Sequence, residues 1–193
     1  MSNTFKIILY ASSAGFPIII GGLISAIVQS KNLKLKDEIN HFIVAVGGGA
    51  LLSAIAFVLV PKAVSDLNLL KISIIFLSGT LSFMLLDIVS NKIGGSVSQV
   101  ISMMMDFIPE ALALGASFAH NHQIGLLLAL FIGLQNLPEG FNSYIEMTEK
   151  LTKYKTLIIM FCLSFVGIFA ALFGEFVLSN SPGIIDEIML FAG

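Results

Sequence analysis

Two short phrases concentrate the polar chemistry of this chain, Asp106-Phe107-Ile108-Pro109-Glu110-Ala111 and Gln135-Asn136-Leu137-Pro138-Glu139-Gly140. Each places an oxygen-bearing side chain four residues before a glutamate: Asp106 before Glu110, and Gln135 before Glu139. On a helix, residues four apart share one face. Each phrase also carries a proline directly before its glutamate. Proline deletes the hydrogen bond to the carbonyl four residues earlier and kinks the helix, which frees the carbonyl of Met105 in the first phrase and of Leu134 in the second. Turned toward each other, the two faces would offer three carboxylates and one amide oxygen. Carboxylates gathered in low dielectric repel one another unless a cation stands among them. Oxygen donors suit hard or borderline divalent ions such as manganese, ferrous iron and zinc better than cuprous ion. Neither phrase contains a cysteine or histidine that would select zinc sharply. Asp106, Glu110, Gln135 and Glu139 are therefore the candidate metal ligands.

The surroundings make these acids unusual. The chain is 56% hydrophobic and 11% charged with a mean hydropathy of +0.97, whereas about a quarter of the residues in a soluble domain are charged. Bilayer is the expected solvent. Crossing roughly 30 Å of hydrocarbon takes about 20 apolar residues as a helix, and such stretches run from about 5 to 28, 41 to 60, 70 to 90, 99 to 119, 123 to 145 and 156 to 178. A closing apolar segment, 184 to 193, is about half a span long. The expected fold is an all-α polytopic membrane protein in one domain over 1–193, with six transmembrane helices and the start of a seventh. With no short leader followed by a cleavage site, the first apolar stretch is expected to be retained as a span.

An ionisable side chain at mid-span costs roughly 3 kcal/mol on insertion scales and reads as functional by default. Asp106, Glu110 and Glu139 fall at such depth, whereas Asp87 and Glu175 lie near span ends, where water or snorkelling suffices. All ten basic residues are lysines and the net charge is -2, which gives no basic face for nucleic acid. The loops after spans one, three and five hold Lys31, Lys34, Lys36, Lys92, Lys150, Lys153 and Lys155, against Lys6, Lys62 and Lys71 on the other side. Positive charge is retained in the cytoplasm. The expected location is thus the cell membrane with the N-terminus extracytoplasmic, and the His120-Asn121-His122 turn facing outward as a solvated turn or a metal-collecting entrance. Met103-Met104-Met105 reads as packing rather than as a soft ligand set. Gly21-Gly22, Gly47-Gly48-Gly49, Gly167 and Gly174 lie within spans, where small residues let helix backbones approach closely. The single cysteine, Cys162, cannot form an intramolecular disulfide and carries no redox information.

The second phrase resembles the His-Asn-x-Pro-Glu-Gly type of motif of the ZIP (Zrt/Irt-like protein) metal transporters, and Asp106 to Glu110 resembles its partner on the adjacent helix. Gly47-Gly48-Gly49-Ala50-Leu51-Leu52 and Val60-Pro61-Lys62-Ala63 are similar to that family's second helix. The resemblance implies eight helices in a three-two-three inverted-repeat plan with both termini outside, of which this chain would lack the rest of helix seven and all of helix eight. It also implies a metal centre between helices four and five. Carried over position by position, the first site falls on Asp106, Glu110, Gln135 and Glu139, with Asp106 where a histidine is usual. The second would need Phe107, Asn136 and a residue near Ala170. Phenylalanine and alanine bind no metal, so one site is expected, with Asn136 a further ligand at its edge.

The leading expectation is transmembrane transport of a divalent transition metal (zinc, iron or manganese) through a mononuclear site, by alternating access, with no prosthetic group and no catalysed reaction. The alternative is a non-transporting metal sensor or degenerate transporter subunit. An intramembrane hydrolase ranks lower: paired carboxylates can activate water, but no His-Glu-x-x-His motif is present. Expected partners are the metal ion, the lipid bilayer and a second copy in a homodimer, with no nucleic acid.

Overall fold

A computed structural model describes residues 3–30, 36–61, 64, 67–178 and 181–192. Lys31, Lys34, Lys62, Ala63 and Gly193, which entered the charge count, the family comparison or the closing segment, lie outside the described residues.

The chain forms helices α1 (Asn3–Ser30), α2 (Lys36–Ala54), α3 (Leu69–Ile93), α4 (Gly95–His120), α5 (His122–Thr148), α6 (Lys153–Phe173) and α7 (Pro182–Ala192). Wider π-helical turns, Ile55–Leu59 and Gly174–Leu178, continue α2 and α6. No strand occurs among the described residues. Six of the helices are long and apolar enough to cross a membrane, so the protein is an all-α membrane protein of six candidate spans. In hydrocarbon every backbone polar group must be satisfied within its own segment, which is why apolar runs of this length become helices.

Local chemistry marks where helices end. The Asn68 side chain accepts from Lys71 N at the start of α3, and the Thr152 hydroxyl accepts from Lys155 N at the start of α6. Asn121 accepts from the backbone N–H of Gln123 and Ile124, so α4 gives way to α5 across a single residue. These caps satisfy N–H groups that a helix leaves open at its first turn. Gly94, at φ +67°, separates α3 from α4 in a conformation that costs a residue with Cβ. Across that break Ser90 Oγ lies 2.8 Å from Ser98 Oγ and donates to, or shares, the Ser98 backbone oxygen at 3.1 Å.

Burial ranks the helices. The apolar window of α5 is 56% buried and that of α4 50%, against 6% for α2 and for α3. Helix α5 packs against α1, α4 and α2, while α6 packs against α1 and α4. The closest approaches use glycine. A side chain at Gly140 would strike the Ile18 carbonyl, one at Gly21 the Leu137 carbonyl, and one at Gly115 the Ala171 carbonyl. Lipid supplies no hydrophobic drive for helices to associate, so van der Waals contact between such bare backbones takes that role. The peripheral α3 meets α7 through Gly79 under the Phe191 backbone and through an ion pair of Lys71 with Glu187.

Candidate metal centre

Both Pro-Glu phrases lie inside uninterrupted helices, Pro109 within α4 and Pro138 within α5. The two helices pack against each other, and Asp106 and Glu139 from the two phrases line one cavity between them. Glu110 is 4% exposed and Gln135 2% exposed, so both side chains are buried. Glu139 and Asp106 are each close enough to Glu110 for their charges to act on it, and Asp106 acts likewise on Glu139. Gln135 Nε2 donates to Glu139 Oε1 in a long hydrogen bond of 3.4 Å.

The oxygens left over carry the information. Glu110 Oε2, Gln135 Oε1, Asn136 Oδ1 and Glu139 Oε2 are all buried without a hydrogen-bond partner. Buried polar atoms are nearly always paired, and an orphaned one costs about 1–3 kcal/mol. Four such acceptors fall within the two phrases, while others lie elsewhere in the bundle, among them Ser25 Oγ, Asn40 Oδ1 and Thr156 Oγ1. Carboxylate and amide oxygens fit a hard or borderline divalent ion. The side chains are not drawn into a tight shell: among the described residues no three His, Cys, Asp or Glu side chains converge as ligands.

Open space adjoins the cluster on two sides. A cavity of about 210 Å³ between α4 and α5 is lined by Asp106 and Glu139 together with Gln99, Ser102, Asn142 and Glu146. A smaller one of about 140 Å³ lies between α5 and α2, bounded by Gln135, Glu139, Gly47 and Gly48. Glu139 borders both. A side chain at Gly47 would meet the Pro138 ring, whereas Gly48 and Gly49 face open space. Two of the three span-two glycines are therefore not helix contacts.

Asn136 occupies a different position from the other four. It is fully buried, and its Nδ2 donates to the Ala14 carbonyl at 2.8 Å, tying α5 to α1. Only its Oδ1 is left to serve a cation. Phe107 is 1% exposed, and its ring lies against the backbones of Gly15 and Gly167; a Cβ at Gly167 would collide with the ring, and one at Gly15 would approach it to 3.2 Å. The place beside Asp106 is thus filled by a ring seated on two glycines, and it offers no donor.

At the α4–α5 turn, His122 stacks on Phe118 with ring centroids 4.5 Å apart and Nδ1 3.0 Å from the Phe118 carbonyl oxygen. Nδ1–H donates in that bond, and the ring serves the turn. The side chain of His120 lies outside the described residues. Of the three methionines, Met103 is buried, while Met104 and Met105 line an apolar groove on the outer face of α4. Asp87 is exposed and accepts from Asn91 Nδ2 at 3.1 Å. Glu175, expected to reach water, is half-buried in the second π-turn with one carboxylate oxygen unpartnered.

The residues that reading the sequence passed over are Gln99, Ser102, Asn142, Ser143 and Glu146. Gln99 Nε2 donates to Ser143 Oγ at 2.8 Å across the α4–α5 interface. The signal was present in their spacing: 99, 102 and 106 on one helix, and 135, 139, 142 and 146 on the other, run at helical three- and four-residue intervals. The proline in α1, Pro17, was likewise unremarked; it frees the carbonyl of Ser13, which lies against Gly133. No protein-family model and no curated protein matches the chain.

Proposed function

We propose that the protein moves a divalent transition-metal ion across the membrane through one site between α4 and α5. The observation that carries the reading is the group of buried, unpartnered oxygens of Glu110, Gln135 and Glu139, with Asp106 on the cavity beside them. A cation entering this group would replace mutual repulsion with attraction and draw the side chains inward. Zinc, ferrous iron and manganese are the expected cargoes, since all accept oxygen ligands. Paired Pro-Glu phrases on adjacent helices resemble those of the ZIP transporters. That likeness extends the proposal to an inverted-repeat plan, an extracytoplasmic N-terminus, the cell membrane as location, a homodimer, and no catalysed reaction. In transport α4 and α5 shift against the rest, and the two cavities flanking Glu139 provide space into which ligands turn.

The test is uptake of labelled zinc, iron and manganese by proteoliposomes holding the purified protein. Glu110→Ala and Glu139→Ala each remove a charged donor that no neighbour replaces. Each should lower uptake by at least about 100-fold, beyond the 10–100-fold loss typical of an outer-shell partner. Normal uptake by either single variant, with the protein still in the membrane, refutes the site.

A second reading is a metal-binding protein that does not transport. Phe107 filling the place beside Asp106, and the lack of a converged three-ligand shell among the described residues, are what favour it. Metal bound at equilibrium by a protein that carries none across the bilayer would establish it.

A further inference from the structure

Helices α4 and α5 face each other along a polar stripe that runs well past the candidate metal centre. On α5, Glu139, Asn142 and Glu146 follow at intervals of three and four residues, and on α4, Asp106, Ser102 and Gln99 do the same in the opposite direction. All six line the cavity of about 210 Å³. Two of them, Gln99 and Glu146, also line a further cavity of about 360 Å³ at the end of the bundle, beside Gly94 and Lys150. The other face of α4, at Val100, Ile101, Met104, Met105 and Ile108, is wholly apolar. Polar side chains inside a membrane protein face a bundle interior or a wet cavity, and here they run from the partly buried Asp106 and Glu139 to Glu146, which is exposed two residues before the end of α5.

We infer that this stripe is the release path on the α3–α4-turn side, with Glu146 a second cation station and the Gln99–Ser143 bridge its gate. The inference rests on the transport reading above. Seven residues separate Glu146 from Glu139, about 10 Å along the helix at 1.5 Å per residue. A divalent ion leaving Glu139 cannot cross that distance in low dielectric without oxygen ligands, and the Asn142 amide lies between the two acids on the same cavity. Glu149 and Lys150 offset each other in formal charge at the outer cavity, which leaves Glu146 as its net negative charge. Gln99 borders both cavities, and the hydrogen bond from its Nε2 to Ser143 Oγ joins the helices there. Both groups are neutral and the bond is single, so opening it costs little compared with breaking an ion pair. Gln99 and Ser143 also supply oxygens to an ion passing between them.

The test uses the full chain with Cys162→Ser, in proteoliposomes of known orientation. Ser102→Cys should react with a membrane-impermeant thiol reagent from the side of the α3–α4 turn only, and manganese should slow the reaction. Glu146→Gln should lower manganese uptake about tenfold while equilibrium dialysis finds the same manganese bound at the Asp106–Glu139 centre. Glu146→Asp, which keeps the charge, should restore most of the rate. An unreactive Ser102→Cys, or unmodified uptake in Glu146→Gln, overturns the path. If the unaltered protein carries none of zinc, ferrous iron and manganese, the transport reading fails and Glu146 loses its role as a station. A reactive Ser102→Cys in that same protein would still establish the wet cleft, so the two failures are told apart.

Discussion

In the proposed site Asp106 would take the place where the resembling transporters carry a histidine, and the difference is one of ligand hardness. A carboxylate oxygen suits manganese and related ions, while imidazole suits zinc and copper. Because Asp106 borders the cavity rather than being sealed like Glu110, it is the position at which ligand chemistry can be exchanged without disturbing the packing. Asp106→His should raise zinc binding relative to manganese. Zinc stays the tighter ion in either protein by the general order of affinities, so the ratio is the quantity to measure, in competition dialysis at fixed pH because the ligands must be deprotonated to bind. An unchanged or lower zinc-to-manganese ratio in a well-folded Asp106→His protein would remove Asp106 from the ligand set. The site would then rest on Glu110, Gln135 and Glu139.

At the level of the helices, α5 is the element whose placement matters most, because it carries Gln135, Glu139, Asn142 and Glu146 on one side and meets α1 on the other. Its contact with α1 is made by bare backbone, Gly140 on the Ile18 carbonyl and Gly21 on the Leu137 carbonyl, and by the Asn136 amide donating to Ala14. A branched side chain there must push the helices apart. Gly140→Val should destabilise the protein by about 1–3 kcal/mol, the usual cost of overpacking, and lower its melting temperature in detergent. Gly49→Ala is the matched control: nothing lies within 4 Å of the added methyl, so its melting temperature should stay where it was. Equal stability of the two variants would mean that the α1–α5 seam is not a close backbone contact.

For the whole molecule, the question is which way it sits in the bilayer. Lysines cluster in the loops after the odd-numbered spans, and among the described residues Lys92, Lys150, Lys153 and Lys155 lie at that end of the bundle. Lys6 and Lys71 lie at the other. In the proposed orientation, with positive charge retained on the cytoplasmic side, the cavity at Glu146 would open to the cytoplasm. In intact cells carrying Cys162→Ser, a cysteine at Asn3 should react with an impermeant thiol reagent, and one at Glu149 only after permeabilisation. The reverse pattern would invert the direction assigned to the Gln99–Glu146 path without altering its geometry.

Six apolar stretches were legible from the residue types because a 30 Å slab of hydrocarbon leaves the backbone one local solution, the helix. Expected and observed spans agree to within a few residues at most ends, 123 to 145 falling inside His122–Thr148 and 156 to 178 inside Lys153–Leu178. The matched phrases at Pro109 and Pro138 were legible for the same kind of reason, since charge inside an apolar run is costly enough to be conspicuous. The widened turns at Ile55–Leu59 and Gly174–Leu178 carried no such mark, because a π-turn is a matter of backbone registry and not of composition. Nor could spacing alone tell Asn136 from Gln135, or Gly47 from Gly48. Neighbouring residues on a helix point about 100° apart, and only the position of α1 turned Asn136 toward Ala14, just as only the position of α2 set Gly47 under Pro138 and left Gly48 facing the cavity. The donor types were settled by the amino acids, whereas which of their oxygens remain buried without a partner was decided by how α1, α2, α4 and α5 pack, since partnership depends on what the neighbouring helix brings within reach.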